Sequence, residues 1–110
     1  MNWVALTKKE QLDQIKNDDS NETILIFKHS TRCSISSMAL NRLERSWKTS
    51  EIAISTYLLD LISYRELSSQ IEKEFGVYHE SPQLILIKNG KAIYDASHMA
   101  ISYNDIKQNI

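Results

Sequence analysis

The chain has 110 residues, of which 42% are hydrophobic and 25% charged, with a formal net charge of −1. This is the composition of an ordinary globular chain, with no basic block for nucleic acid and no acidic tail for a cationic partner. Its longest apolar stretches, Thr23 to Phe27 and Leu84 to Ile87, are too short to cross a bilayer.

The first ten residues lack a basic segment leading into an apolar run, so a cytoplasmic chain is expected. The length suits one domain over residues 1–110 with one modest core, working as a monomer. Cys33 is the only cysteine. An internal disulfide is impossible, and so is a metal site built on several thiolates. Any disulfide must be made with another molecule.

Thr7-Lys8-Lys9-Glu10 reads as a capping box, opening a helix over about 8–18 with Leu12 and Ile15 on its inner face. Thr23-Ile24-Leu25-Ile26-Phe27 is apolar and β-branched throughout, the pattern of a strand covered on both faces. After Cys33, the residues Ile35, Ala39, Leu43 and Trp47 predict a second helix with one buried stripe. Residues 52–61 predict another strand, centred on Ser55 to Leu59.

Ser63-Tyr64-Arg65-Glu66 is a second capping box. Leu67, Ile71 and Phe75 then make a helical stripe, with Gly76 as C-cap. Pro82 opens an apolar strand, and Asn89-Gly90 signals a tight hairpin returning through Lys91 to Ala96. Ser102 caps a short last helix that carries Ile106 and Ile110 on its apolar side. The order α-β-α-β-α-β-β-α predicts an α/β fold with a four-stranded mixed sheet between helical layers. Its β-α-β part has a right-handed crossover.

That order, with a cysteine between the first buried strand and the next helix and a proline opening the third strand, resembles the thioredoxin-like fold. Tyr57-Leu58-Leu59-Asp60, Phe75-Gly76-Val77, Ser81-Pro82 and Leu86-Ile87-Lys88-Asn89-Gly90-Lys91 follow the thioredoxin series in the same order. The resemblance implies that Pro82 is cis and faces the active cysteine.

Lys28-His29-Ser30-Thr31-Arg32-Cys33-Ser34-Ile35-Ser36, with Glu80-Ser81-Pro82-Gln83 and Ser97-His98, resembles the monothiol bacilliredoxins of Gram-positive bacteria. Arg32 and Ser34 depart from the family's Thr-Cys-Pro-Ile-Ser pattern. The resemblance implies that bacillithiol, a glucosamine-malate-cysteine thiol, is a co-substrate, with no bound cofactor and no metal. It also implies two kinds of partner: S-bacillithiolated client proteins and, indirectly, a bacillithiol disulfide reductase.

In Cys33-Ser34-Ile35-Ser36 the resolving position of a two-thiol switch is filled by Ser36. A mixed disulfide on Cys33 must therefore await an outside thiol. Several features are expected to favour the Cys33 thiolate: the helix N-terminus, the adjacent Arg32, Lys28 and His29 at the end of the preceding strand, and a hydrogen bond from Ser36. A more acidic thiol also leaves a disulfide faster, while its attack gains little because nucleophilicity falls with basicity.

Lys28, Ser81, Pro82 and His98 are the candidate substrate-binding residues. Lys28 could hold the malate carboxylates, and Ser81 could offer its backbone to an extended ligand. His29 could also lie near the thiol. The expected activity is thiol-disulfide exchange that removes bacillithiol from clients through Cys33. The alternatives are an iron–sulfur cluster carrier like the monothiol glutaredoxins, or a non-catalytic thioredoxin-fold adaptor.

Overall fold

In the computed structural model, which describes residues 1–110, the buried run from Thr23 forms β2 (Thr23–His29) at the centre of a five-stranded sheet. The other elements are β1 (Val4–Ala5), α1 (Lys9–Lys16), α2 (Ser34–Ser46), β3 (Ser55–Asp60), α3 (Arg65–Phe75), β4 (Gln83–Lys88), β5 (Lys91–Ser97) and α4 (Tyr103–Gln108). The strand order is β1-β3-β2-β4-β5. β1 and β2 both run parallel to β3, while β4 is antiparallel to β2 and to β5.

Side chains alternate across β2, so each face has its own core. Ile24 and Ile26 meet Leu12 and Ile15 of α1 and Leu67, Ile71 and Phe75 of α3. Leu25 and Phe27 meet Ala39 and Leu43 of α2, with Ile101 and Ile106 at the C-terminal end. The fold is the three-layer, thioredoxin-like α/β architecture. No helix is long and apolar enough to cross a membrane.

The sheet has five strands where the sequence predicts four. The added strand, β1, pairs Val4 with Tyr57 and Ala5 with Leu58, and the Leu6 N–H then donates to the Leu58 carbonyl at 2.9 Å. Both β1 residues are exposed, so no hydrophobic pattern announces them.

The caps also differ from expectation. Lys8, not Thr7, is the N-cap of α1, and the Gln11 side-chain carbonyl accepts the Thr7 and Lys8 N–H groups at 2.9 and 3.1 Å. Ser63 caps nothing: it donates to the Asp60 carboxylate at 2.9 Å, and Tyr64 takes the N-cap position of α3. Ser102 is the N-cap of α4 but makes no side-chain bond there.

Two residues placed on buried stripes are 48% exposed. Ile35 turns outward because α2, starting after Cys33, buries Ser36, Ala39 and Leu43 instead. Ile110 lies beyond the end of α4. The α3 stripe and its left-handed Gly76 cap match the sequence reading, as does the Asn89-Gly90 turn, with both residues at positive φ.

Candidate functional site

β2 ends at His29, and four residues later the chain enters α2 with Cys33 as its N-cap. The turn is fastened by the Cys33 N–H, which donates to the Ser30 carbonyl at 3.2 Å, while the Ser37 N–H donates to the Cys33 carbonyl at 3.1 Å. The thiol is free and half-buried. No acidic residue occupies the first turn of α2. The N–H groups of that turn have no helical acceptor, and the helix dipole places positive potential there, so the position suits an anionic sulfur. Arg32 is exposed beside it.

Ser36 lies one turn into α2 and is fully buried. Its Oγ accepts the Ser30 N–H at 3.0 Å and lies 2.6 Å from Nδ1 of His29. The expected donor to the thiol is thus tied to His29 and to the backbone of the turn. Burial pushes the His29 imidazole below its ordinary pKa, opposed by the carboxylates of Asp60 and Glu44. Asp60 is directly abreast of His29 on β3. Glu44, on α2, is held by the Trp3 indole N–H at 2.9 Å.

Lys28 points to the other face of the sheet and has no exposed surface. Its Nζ lies 2.6 Å from Nδ1 of His79. Burial lowers its pKa to about 8, against the pull of Glu72. With no exposed surface and its Nζ against His79, Lys28 is closed to a ligand carboxylate in this arrangement. The sequence reading missed His79, because nothing local to it reveals that the loop before Pro82 folds over Lys28, 51 residues away.

The Ser81-Pro82 bond is cis. The β2–β4 register runs through the pair Lys28 and Gln83, so one step further Pro82 comes abreast of His29. The Pro82 carbonyl accepts the His98 N–H at 3.0 Å. His98 has a left-handed backbone, φ 55°, and its Nε2 lies 3.7 Å from the Glu80 carboxylate. Ser81 makes no hydrogen bond through its N–H or its carbonyl. The fold therefore brings Ser81, Pro82 and His98 together at the end of the sheet from which Cys33 projects.

The family model described as monothiol bacilliredoxin BrxC matches residues 4–106. The chain belongs to the monothiol bacilliredoxin family. A solved thioredoxin-fold protein, provisionally described as an oxidoreductase, is 28% identical and superposes with a TM-score of 0.82 over 96% of this chain and 91% of its own. Thioredoxin from Trypanosoma brucei brucei superposes with a TM-score of 0.75 at 13% identity, over 98% of this chain and 87% of its own. The Schistosoma mansoni thioredoxin preprotein gives 0.72 at 17% identity over the whole of both chains. The last two likenesses show the fold alone. Membership of the bacilliredoxin family fits a site with one thiol and a serine in the resolving position.

Proposed function

We propose that the protein is a cytosolic monothiol bacilliredoxin that removes bacillithiol from S-bacillithiolated proteins. The observation that carries this reading is Cys33 at the N-terminus of α2, half-buried, with Ser36 where a second thiol would stand. The unpaired backbone of Ser81 supports it, since an extended client segment can pair there beside the thiol.

The Cys33 thiolate attacks the bacillithiol sulfur of the client mixed disulfide. The client–bacillithiol S–S bond breaks, its electron pair leaves on the client sulfur, and bacillithiol stays bonded to Cys33. A second bacillithiol thiolate then attacks that carried sulfur and expels the Cys33 thiolate. The product is bacillithiol disulfide, which a separate reductase recycles. Bacillithiol is a co-substrate here, and the protein needs no bound cofactor.

The test is incubation with a bacillithiolated client, followed by intact-mass spectrometry. The reading expects the client to be freed while the bacillithiol adduct appears on Cys33. Cys33→Ser should abolish transfer, whereas Ser36→Ala, which keeps the only thiol, should slow it without abolishing it. Loss of bacillithiol from the client at the same rate with Cys33→Ser would overturn the proposal.

A further inference from the structure

Between α3 and β4 the chain runs through residues 76–82 in neither helix nor strand, and it ends on Ser81-Pro82 beside the thiol site. Val77 is buried and anchors the start of this segment, while Tyr78 is 80% exposed. The His79 N–H donates to the Glu72 carboxylate at 2.6 Å, and the Gln83 amide donates to the Tyr78 carbonyl at 2.9 Å. The remaining hold is the His79 ring on Lys28, a contact between two basic groups.

Lys28 Nζ and His79 Nδ1 are 2.6 Å apart, which leaves room for one proton between them. A charged Lys28 donates, so Nδ1 must accept, and the neutral ring carries its proton on Nε2. An imidazolium has N–H groups on both nitrogens and no lone pair. It would face an ammonium with no acceptor between them, and the contact would break. Lys28 is rooted in the central strand with no exposed surface, so the ring is the partner that moves. It has room to move, because His79 lines a cavity of about 480 Å³ with Leu61, Arg65, Ser68, Ser69 and Glu72.

We propose that His79 is a proton-operated latch on the segment that presents Ser81 to client proteins: the neutral ring holds the segment against Lys28, and the imidazolium releases it. The inference is independent of which small thiol Cys33 carries. It rests on the proposed function only in taking Ser81 as the edge where an extended client pairs.

The groups facing the ring set its direction of response. Burial and the Lys28 charge from β2 favour the neutral form, while Glu72 from α3 and Glu80 from the segment itself favour the proton, and the balance lies below the ordinary imidazole value. Arg65 from α3 adds a further positive charge along the same cavity. Lys28, lowered only to about 8, stays charged while the ring titrates. The latch is therefore closed at neutral pH and opens as the solution becomes acidic.

Two measurements on the full chain test the latch, neither of which contains bacillithiol. The first is nitrogen-15 NMR of the reduced protein from about pH 8 to about pH 5. The amide signals of Tyr78, His79 and Glu80 should shift with the same midpoint as the His79 ring, which above that midpoint should carry its proton on Nε2. In His79→Gln the side-chain carbonyl can still accept from Lys28 but takes up no proton, so these shifts should be lost and the buried lysine keeps a partner. Glu72→Gln should keep the transition and move it to lower pH. Amide shifts that persist in His79→Gln, or that are absent from the native protein, would overturn the proposal.

The second measurement compares two reactions of Cys33, with an extended uncharged peptide bearing a pyridyl disulfide and with dipyridyl disulfide alone. In each the thiolate attacks one sulfur, the S–S bond breaks, and its electron pair leaves on thiopyridone. Both need the same thiolate, so the ratio of their rates cancels the ionisation of Cys33. Acidification through the His79 midpoint should lower the peptide-to-small-reagent ratio about tenfold in the native protein, as the closed population falls, and leave it level in His79→Gln. A level native ratio alongside the expected amide shifts would keep the latch and remove Ser81 as the pairing edge.

Discussion

Lys28 Nζ lies 2.6 Å from Nδ1 of His79, and no part of Lys28 reaches solvent. A buried ammonium facing an imidazole is held there at a cost, because both groups become harder to protonate. Lys28 is lowered to about 8 from 10.5, mainly by burial. His79 is lowered too, first by burial and then by the Lys28 charge.

The unfolded chain therefore binds more protons than the folded one between pH about 8 and 10.5, and stability rises with pH across that window. Lys28→Met should remove this rise and make the protein more stable at pH 7. Urea unfolding at pH 7 and pH 10 measures both. A native stability that is flat across the window would contradict the burial argument.

On the acid side the sign is also set by depressed histidines. His29 and His79 both fall below 6.5 through burial. As pH drops below 6.5 the unfolded chain takes up protons first, so stability falls. In the double variant His29→Gln, His79→Gln the acid midpoint of unfolding should move to lower pH, which a circular-dichroism titration would detect.

Removing the Ser36 hydroxyl leaves the Ser30 N–H and His29 Nδ1 without their partner. Ser36→Ala should cost about 1–3 kcal/mol, the range for a buried polar group left unpaired. Ser34→Ala, exposed two residues earlier, should change stability by no more than about 0.5 kcal/mol. Equal effects at the two positions would show that the buried bonds contribute nothing.

Two glycines separate backbone strain from collision. Both have positive φ, 67° at Gly76 and 74° at Gly90. A Cβ at Gly76 meets nothing within 4 Å, whereas one at Gly90 runs into the Lys16 carbonyl oxygen. Gly76→Ala should cost about 1–2 kcal/mol from conformation alone. Gly90→Ala should cost clearly more, since α1 must also move. Thermal unfolding of the two variants side by side makes the comparison.

The N-terminal strand, though two residues long, anchors an aromatic side chain. Trp3 packs edge-on against Phe27 with ring centroids 6.1 Å apart and donates to Glu44. Trp3→Ala should destabilise the protein by about 3 kcal/mol, near the low end for losing a large aromatic because Trp3 is only half-buried. It should also alter the titration of His29 by releasing Glu44, a change visible by NMR.

Strand β2, the α3 stripe, the Gly76 cap and the Asn89-Gly90 turn were legible because burial on a regular element leaves a period in the sequence. β1 left none, since Val4 and Ala5 are held by backbone pairing and stay exposed. Caps were less legible, because several polar side chains compete for the same few N–H groups. Gln11 wins at α1, and Asp60 claims Ser63.

At the site, Cys33 and Pro82 could be read from their positions relative to predicted elements. The partners of Ser36 and Lys28 could not. Ser30 and His29 meet Ser36 through the fold of one turn, and His79 meets Lys28 only after α3 and the loop beyond it are in place.

The two outer strands of the sheet are unlike each other. β1 ends after two residues. β5 is longer, but its register slips so that Leu86 faces Tyr94 while Ile87 faces Ala92, leaving Ile93 without an opposite residue. Its exposed positions also carry Lys91 and Asp95. A short edge, and a bulged edge bearing both charges, are poor templates for a second chain to extend the sheet. Both flanks of the sheet are thus closed to edge-to-edge pairing, one by its shortness and the other by its bulge and charges.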